Sequence, residues 1–293
     1  CATIGPGVAP EDFFLLPDTY QFTIALNDAF RPDDFIAFNA KAPLPYTDLT
    51  LRFDKKCAAC DLSSLTTVTS LHCVNLRQCA LTLPTSVVRL SLKKGSYRVT
   101  VSGAEGVTSL QVWNGSNTVT ACPRLRELVW YECEKARHIP VQDITSLTDL
   151  TAIMPHDGLG TPCPLQLEAL KLRRSDMSPN LPTSLRFLVV SVSKSTDFSA
   201  FTRLTRLEVE LVSAVSLTFP TQLRELSVAH FEKFTGGNIS DVALEVFRSW
   251  DASLTRRDLE TLPKTLRRVN APFEPESLRN ELPSMFPLFE ANT

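Results

Sequence analysis

Cys57-Ala58-Ala59-Cys60 is the first candidate for chemistry in this sequence. Two cysteines at this spacing form half of a tetrahedral zinc site, or a dithiol able to cycle with a disulfide. A zinc site needs a second pair, and Cys73 and Cys79 have five residues between them rather than two. A thioredoxin-like dithiol needs a βαβ setting, which the surrounding pattern does not offer. The remaining cysteines, Cys1, Cys122, Cys133 and Cys163, fall in no motif. The expectation is therefore buried or surface thiols, with no metal and no cofactor. The histidines, His72, His138, His156 and His230, are scattered along the chain. His156 adjoins Asp157 without a third catalytic member, and His72 and His230 stand too far apart to cooperate. No phosphate-binding glycine loop, nucleophile elbow or metalloprotease helix is present. Gly236-Gly237 reads as a turn. Asn114-Gly115-Ser116 and Asn238-Ile239-Ser240 match glycosylation acceptors, a pattern with meaning only in a secreted protein. These residues predict a protein that is not an enzyme.

The other composition limits are broad. The chain has 293 residues, 43 % of them hydrophobic, and a net charge of −2. That balance suits a soluble globular protein and gives no bulk field for nucleic acid or anionic membrane. No apolar run approaches the roughly 18 residues of a membrane span. The chain opens on Cys1, which predicts a processed form. A disulfide-stapled secreted scaffold is usually short and cysteine-dense, so a cytoplasmic location is expected, with the cell surface or exterior as the alternative.

The elements that must position any site are set by a repeat. Leu181-Pro182-Thr183-Ser184-Leu185-Arg186-Phe187-Leu188-Val189-Val190 recurs as Leu83-Pro84-Thr85-Ser86-Val87-Val88-Arg89-Leu90 and as Phe219-Pro220-Thr221-Gln222-Leu223-Arg224-Glu225-Leu226. The shared core is apolar-x-x-apolar-x-apolar. Twelve anchor pairs, from Tyr46/Leu49 to Leu266/Val269, follow one another at steps of 18 to 22 residues. Apolar residues two apart place one face of a strand in the core. A unit this small cannot bury that face alone, so neighbouring units must stack, their strands pairing in parallel. Val87, Leu128, Leu170, Leu188, Leu207 and Leu226 are expected to be buried.

These units resemble the leucine-rich repeat family, whose unit reads L-x-x-L-x-L-x-x-N/C-x-L. The resemblance spans roughly Tyr46 to Val269 and is closest to divergent repeats of protozoan and bacterial proteins. It is strong at the first three apolar positions. The family's Asn/Cys ladder is mostly missing, with only Asn75 and Cys133 near it. The resemblance implies an α/β leucine-rich-repeat solenoid with a curved parallel sheet on its concave face. The short period leaves room for only extended segments or single 3₁₀ turns on the convex side.

Residues 1–43 carry no clear repeat and are expected to cap the first strand. There Phe13, Phe14, Leu15 and Leu16, then Phe22, Ile24 and Leu26, would cover the open edge. The solenoid proper is assigned to residues 44–272, with a helical insertion over 240–262 started by Ser240. Residues 273–293 form a C-terminal cap built on Phe273, Leu278, Leu282, Met285, Phe286 and Phe289.

Strand alternation turns the residues flanking the anchors onto the concave face. There the sequence predicts an apolar patch of Trp113, Val129, Tyr131, Ile153, Phe187 and Val189. Lys171 and Arg173 stand inside it, and Glu208 and Glu210 border it. Trp113, Tyr131, Ile153 and Arg173 fall in one column of consecutive units and are expected to form a ridge. Exposed aromatics beside arginine and rimmed by charge are typical of an interface centre. The expected function is a monomeric scaffold that binds another protein or peptide there. A surface adhesin of the same fold, or a metal or enzymatic protein using Cys57, Cys60 and His72, are the alternatives.

Overall fold

The computed structural model describes residues 2–4, 22–26, 31–41, 47–54, 56–93, 95–113, 117–119, 122–131, 144–153, 163–176 and 181–290. The chain divides into two compact units, Cys1–Thr151 and Ala152–Thr293. In the first, strands Ala2–Ile4, Phe22–Leu26, Asp48–Phe53, Ser70–Val74, Arg89–Leu92, Ser109–Trp113 and Glu127–Tyr131 pair in parallel, each with the next. In the second, Ala169–Asp176, Phe187–Val192, Arg206–Leu211, Glu225–Ala229, Val246–Ser249 and Arg268–Asn270 do the same. The strand Asp149–Ile153 contains the division. No described helix is long and apolar enough to cross a membrane.

The register follows the repeat. Leu49, Leu71, Leu90, Leu110 and Leu128 are successive cross-strand partners in the first unit. Leu170, Leu188, Leu207, Leu226, Phe247 and Val269 are successive partners in the second. All are buried, as are Val87 and the other described first anchors. Each unit is thus a parallel β-solenoid, built turn by turn from the apolar-x-x-apolar-x-apolar strand.

The Leu-Pro-Thr-Ser-Leu motif has a physical explanation. The N–H of every described first anchor except Leu244 donates to the carbonyl three residues earlier, closing a tight turn, as in Leu185 to Pro182 at 3.4 Å and Val87 to Pro84 at 3.1 Å. Proline suits that first position because its fixed φ helps set the approach while its carbonyl remains available. The hydroxyl just before the anchor then donates to the first-anchor carbonyl of the preceding unit. Ser86 reaches Val68 at 2.7 Å, Ser146 reaches Leu125 at 2.6 Å, Ser184 reaches Leu167 at 2.6 Å and Thr265 reaches Leu244 at 2.8 Å. These side chains tie turn to turn.

Short parallel ladders run on the far side of several turns. Ala59–Asp61, Ala80–Thr82, Thr100–Ser102 and Thr118–Val119 form one in the first unit. Thr196–Asp197, Val215–Thr218 and Phe234–Gly237 form one in the second. Gly236-Gly237 is thus strand rather than turn. Both glycines have a φ near +150°, and a Cβ on Gly237 would collide with the Leu217 carbonyl, so only glycine fits this close approach.

Phe22–Leu26 and the stretch 240–262 depart from expectation. Phe22–Leu26 is a further strand of the ladder rather than a cover, with Ile24 opposite Leu51 and Leu26 opposite Phe53. Its apolar alternation is the repeat's own, though no upstream turn motif marks it. Phe13, Phe14, Leu15 and Leu16 lie outside the described residues. Over 240–262 the chain is not one helical insertion. A strand occupies Val246–Ser249, and the α-helix is limited to Arg256–Thr261. Leu244 and Phe247 obey the repeat, and ladder pairing overrides helix propensity there. The helix starts at Thr255, which shares a capping box with Asp258, while Ser240 lies in a 3₁₀ turn. Beyond 273, Leu278, Leu282 and Phe286 are buried, while Phe273, Met285 and Phe289 are half-buried.

Candidate functional site

The apolar strand signature leaves every second residue facing away from the core, and the burial pattern of Ser109–Trp113 and Glu127–Tyr131 alternates accordingly. In the first unit Trp113 and Tyr131 are register partners, and their rings stack at 4.3 Å with 27° between planes. Val129, opposite Gln111, is half-buried. The two aromatics shield one another and are half-buried rather than open, a correction to the expected exposed ridge. Trp113 Nε1 is buried without a hydrogen-bond partner among the described residues.

Within the second unit Ile153 is half-buried. Lys171 pairs with Val189, yet the next pairing is Asp176 with Ser191, so the register shifts just after Lys171. Arg173 falls within this irregular stretch. Its side chain lies outside the described residues.

Around Phe187 the geometry is specific. Lys171 Nζ lies 5.2 Å and Arg206 Cζ 4.6 Å from its ring centroid, each within cation–π range. Arg206 also binds Glu208 at 2.6 Å and lies 3.8 Å from Glu225, which Arg248 contacts at 3.2 Å. Beside this network is a groove of about 290 Å³, walled by Val189, Glu208, Glu210, Ala229, Trp250 and Asp251. Glu210 accepts a hydrogen bond from Ser191 at 2.9 Å. Neither Glu210 nor Asp251 has an ion-pair partner among the described residues.

Trp250 is the residue that sequence reasoning missed. It is 63 % exposed and also borders a second cavity of about 750 Å³, with Arg248, Asn270, Phe273 and Arg279. The signal was available. Trp250 follows its second anchor Phe247 by three residues, as Trp113 follows Leu110 and Tyr131 follows Leu128. Reading 240–262 as helix hid that column position.

A second group sits on the outward face of the first unit. His72 Nε2 lies 3.3 Å from Ser70 Oγ and 3.5 Å from Asp48 Oδ1. The residue types match a hydrolytic triad, but the geometry does not. A triad uses one imidazole nitrogen for the hydroxyl and the other for the carboxylate. Here both meet Nε2, while Nδ1 is buried with no partner among the described residues. Nothing therefore holds the tautomer a general base would need. Burial chiefly, then the charge of Lys93, holds the His72 pKa below its ordinary value, with Asp48 pulling the other way. His230 lies in the second unit and has no part in this group.

The Cys57-x-x-Cys60 pair is divided by the fold. Cys60 is buried on the inward side of its strand, beside Cys73, and burial raises both thiols. Cys57 is half-buried, and its thiol donates to the Ala59 carbonyl at 2.8 Å, with Cys79 of the next turn close by. Among the described residues, no group of three or more His, Cys, Asp or Glu side chains is placed to hold a metal ion. Of the glycosylation motifs, Asn114 lies outside the described residues. Asn238 clamps Phe219, accepting from its N–H at 2.7 Å and donating to its carbonyl at 3.0 Å.

No protein-family model and no curated protein matches the chain. Among solved structures it is similar to the crystal structure of an internalin (inlF) from Listeria monocytogenes, with a TM-score of 0.49 and 14 % identity. That likeness covers 98 % of this chain and 90 % of the other. The fold assignment rests on the repeat geometry above.

Proposed function

We propose that this protein is a non-enzymatic scaffold that binds a segment of another protein on the outward face of its large-sheet strands. The observation that carries the proposal is the groove beside Phe187. A tryptophan that is 63 % exposed lines it together with Glu208, Glu210 and Asp251, on the side of the sheet that the core does not use. Aromatic side chains at the centre of a patch with a charged rim are the usual anchors of an interface. Glu210 and Asp251 favour a partner segment bearing lysine or arginine, whose cation would also meet the Trp250 ring. Phe187, Val189, Lys171 and Glu208 shape this surface. Trp113, Val129 and Tyr131 form a separate aromatic surface on the first unit.

The test compares a panel of lysine- and arginine-bearing peptides with charge-reversed counterparts. Binding to wild type should be selective for the basic peptides. Trp250→Ala should weaken it by about 2 kcal/mol, the loss typical of an interface hot spot, and Glu210→Lys should reverse the charge preference. Equal binding of both peptide classes, or unchanged affinity in both variants, would contradict the assignment.

A further inference from the structure

We propose that Cys57 and Cys79 form a reversible disulfide across two successive turns of the first unit, through exchange with a small disulfide such as glutathione disulfide. The backbone supplies the geometry. Ala59 pairs with Ala80, and the Ala80 N–H donates to the Ala58 carbonyl at 3.0 Å, so Cys79 stands opposite Ala58 and next to Cys57. Adjacent strands lie about 4.8 Å apart, which brings these Cα atoms into the roughly 4.4–6.8 Å range that a disulfide spans. The two thiols are close enough for Cys57 to help raise the Cys79 thiol above its ordinary value. Cys57 Sγ also contacts the Ala59 carbonyl at 2.8 Å, which holds it at the start of the strand.

The two cysteines have different roles. Cys57 is half-buried and reachable by a small reagent. Cys79 is buried, and that burial, then the neighbouring Cys57, pushes its thiol up to about 12. Attack therefore begins at Cys57, because the thiolate is the nucleophile and needs access. The Cys57 thiolate displaces one glutathione thiolate, which takes up a proton, and leaves glutathione on Cys57. Cys79 then gives its proton to solvent and attacks Cys57 Sγ, displacing the second glutathione. Two protein thiols and one glutathione disulfide become one protein disulfide and two glutathione thiols. Cys60, the obvious sequence partner of Cys57, is only 2 % exposed and faces the core beside Cys73, so it takes no part.

The experiment incubates the folded full chain with glutathione disulfide, blocks free thiols by alkylation, and maps the linked peptides by mass spectrometry. Wild type should yield a Cys57–Cys79 link and a higher melting temperature that dithiothreitol reverses. Cys60→Ser should form the same link. Cys79→Ser should stop at a glutathione adduct on Cys57. A Cys57–Cys60 link, a persistent glutathione adduct in wild type, or recovery of both thiols unmodified overturns the proposal.

Discussion

The two units share one strand signature but fill the rest of their turns differently. In the first, buried polar groups satisfy the backbone behind the strands. Ser96 Oγ accepts from the Leu76 N–H at 3.1 Å and contacts the Cys73 carbonyl at 3.3 Å. Asn117 accepts from the Val99 N–H at 3.0 Å and donates to the Ser96 carbonyl at 3.2 Å. Thiols complete this layer at Cys60 and Cys79. In the second unit phenylalanines fill the equivalent space. Phe231 lies 5.5 Å from Phe234 and 5.3 Å edge-on from Phe247, while Phe219 lies 6.2 Å from Phe234. Asn238 supplies a polar clamp there, on Phe219. The strand half of the repeat is constrained because each anchor meets its counterpart in the next unit. The return half needs only volume and satisfied N–H groups, which either rings or a serine–asparagine ladder can supply.

Variants can break or sharpen that contrast. The largest effect is expected from Phe219→Ala. Removing a buried ring should cost about 3–5 kcal/mol, read as a lower denaturation midpoint. Leu110→Ala and Leu188→Ala test the shared half, and each should cost about 2–5 kcal/mol. A small loss in one unit alone would show that the anchors are not equivalent. Ser96→Ala probes the polar ladder. It leaves the buried Leu76 N–H without its acceptor, at about 1–3 kcal/mol, whereas a loss near zero would mean that the ladder is dispensable. The smallest effect is expected at His72. Its folded pKa lies below the ordinary value near 6.5, so its contribution is complete above that pH and is lost as pH falls toward the folded pKa. Melting curves below pH 6.5 should show this decline, and His72→Gln should remove that component.

The strand half was legible because leucine periodicity encodes it directly, and every described anchor from Val68/Leu71 onward is buried. The return half was not. Serine, asparagine and phenylalanine do different jobs there without a common spacing, so Ser96 and Asn117 went unnoticed as the asparagine ladder's substitute. At the candidate site, Phe187, Val189 and Glu208 hold half-buried positions that alternate with buried ones. Alternation could not foresee the bulge after Lys171, which depends on backbone pairing rather than residue type. Trp250 was lost for a related reason: a helix-compatible composition masked a strand.

The central claim is that the outward face is spare to folding and available to a partner. It is tested most directly by measuring the melting temperature and basic-peptide affinity of Phe187→Ala/Trp250→Ala beside Leu188→Ala. The account predicts that the double variant melts close to wild type but loses affinity by at least about 2 kcal/mol, while Leu188→Ala melts far lower. A double variant that unfolds as Leu188→Ala does would make these rings part of the core. One that keeps both its stability and its affinity would leave the face without a binding role. Either result contradicts the account.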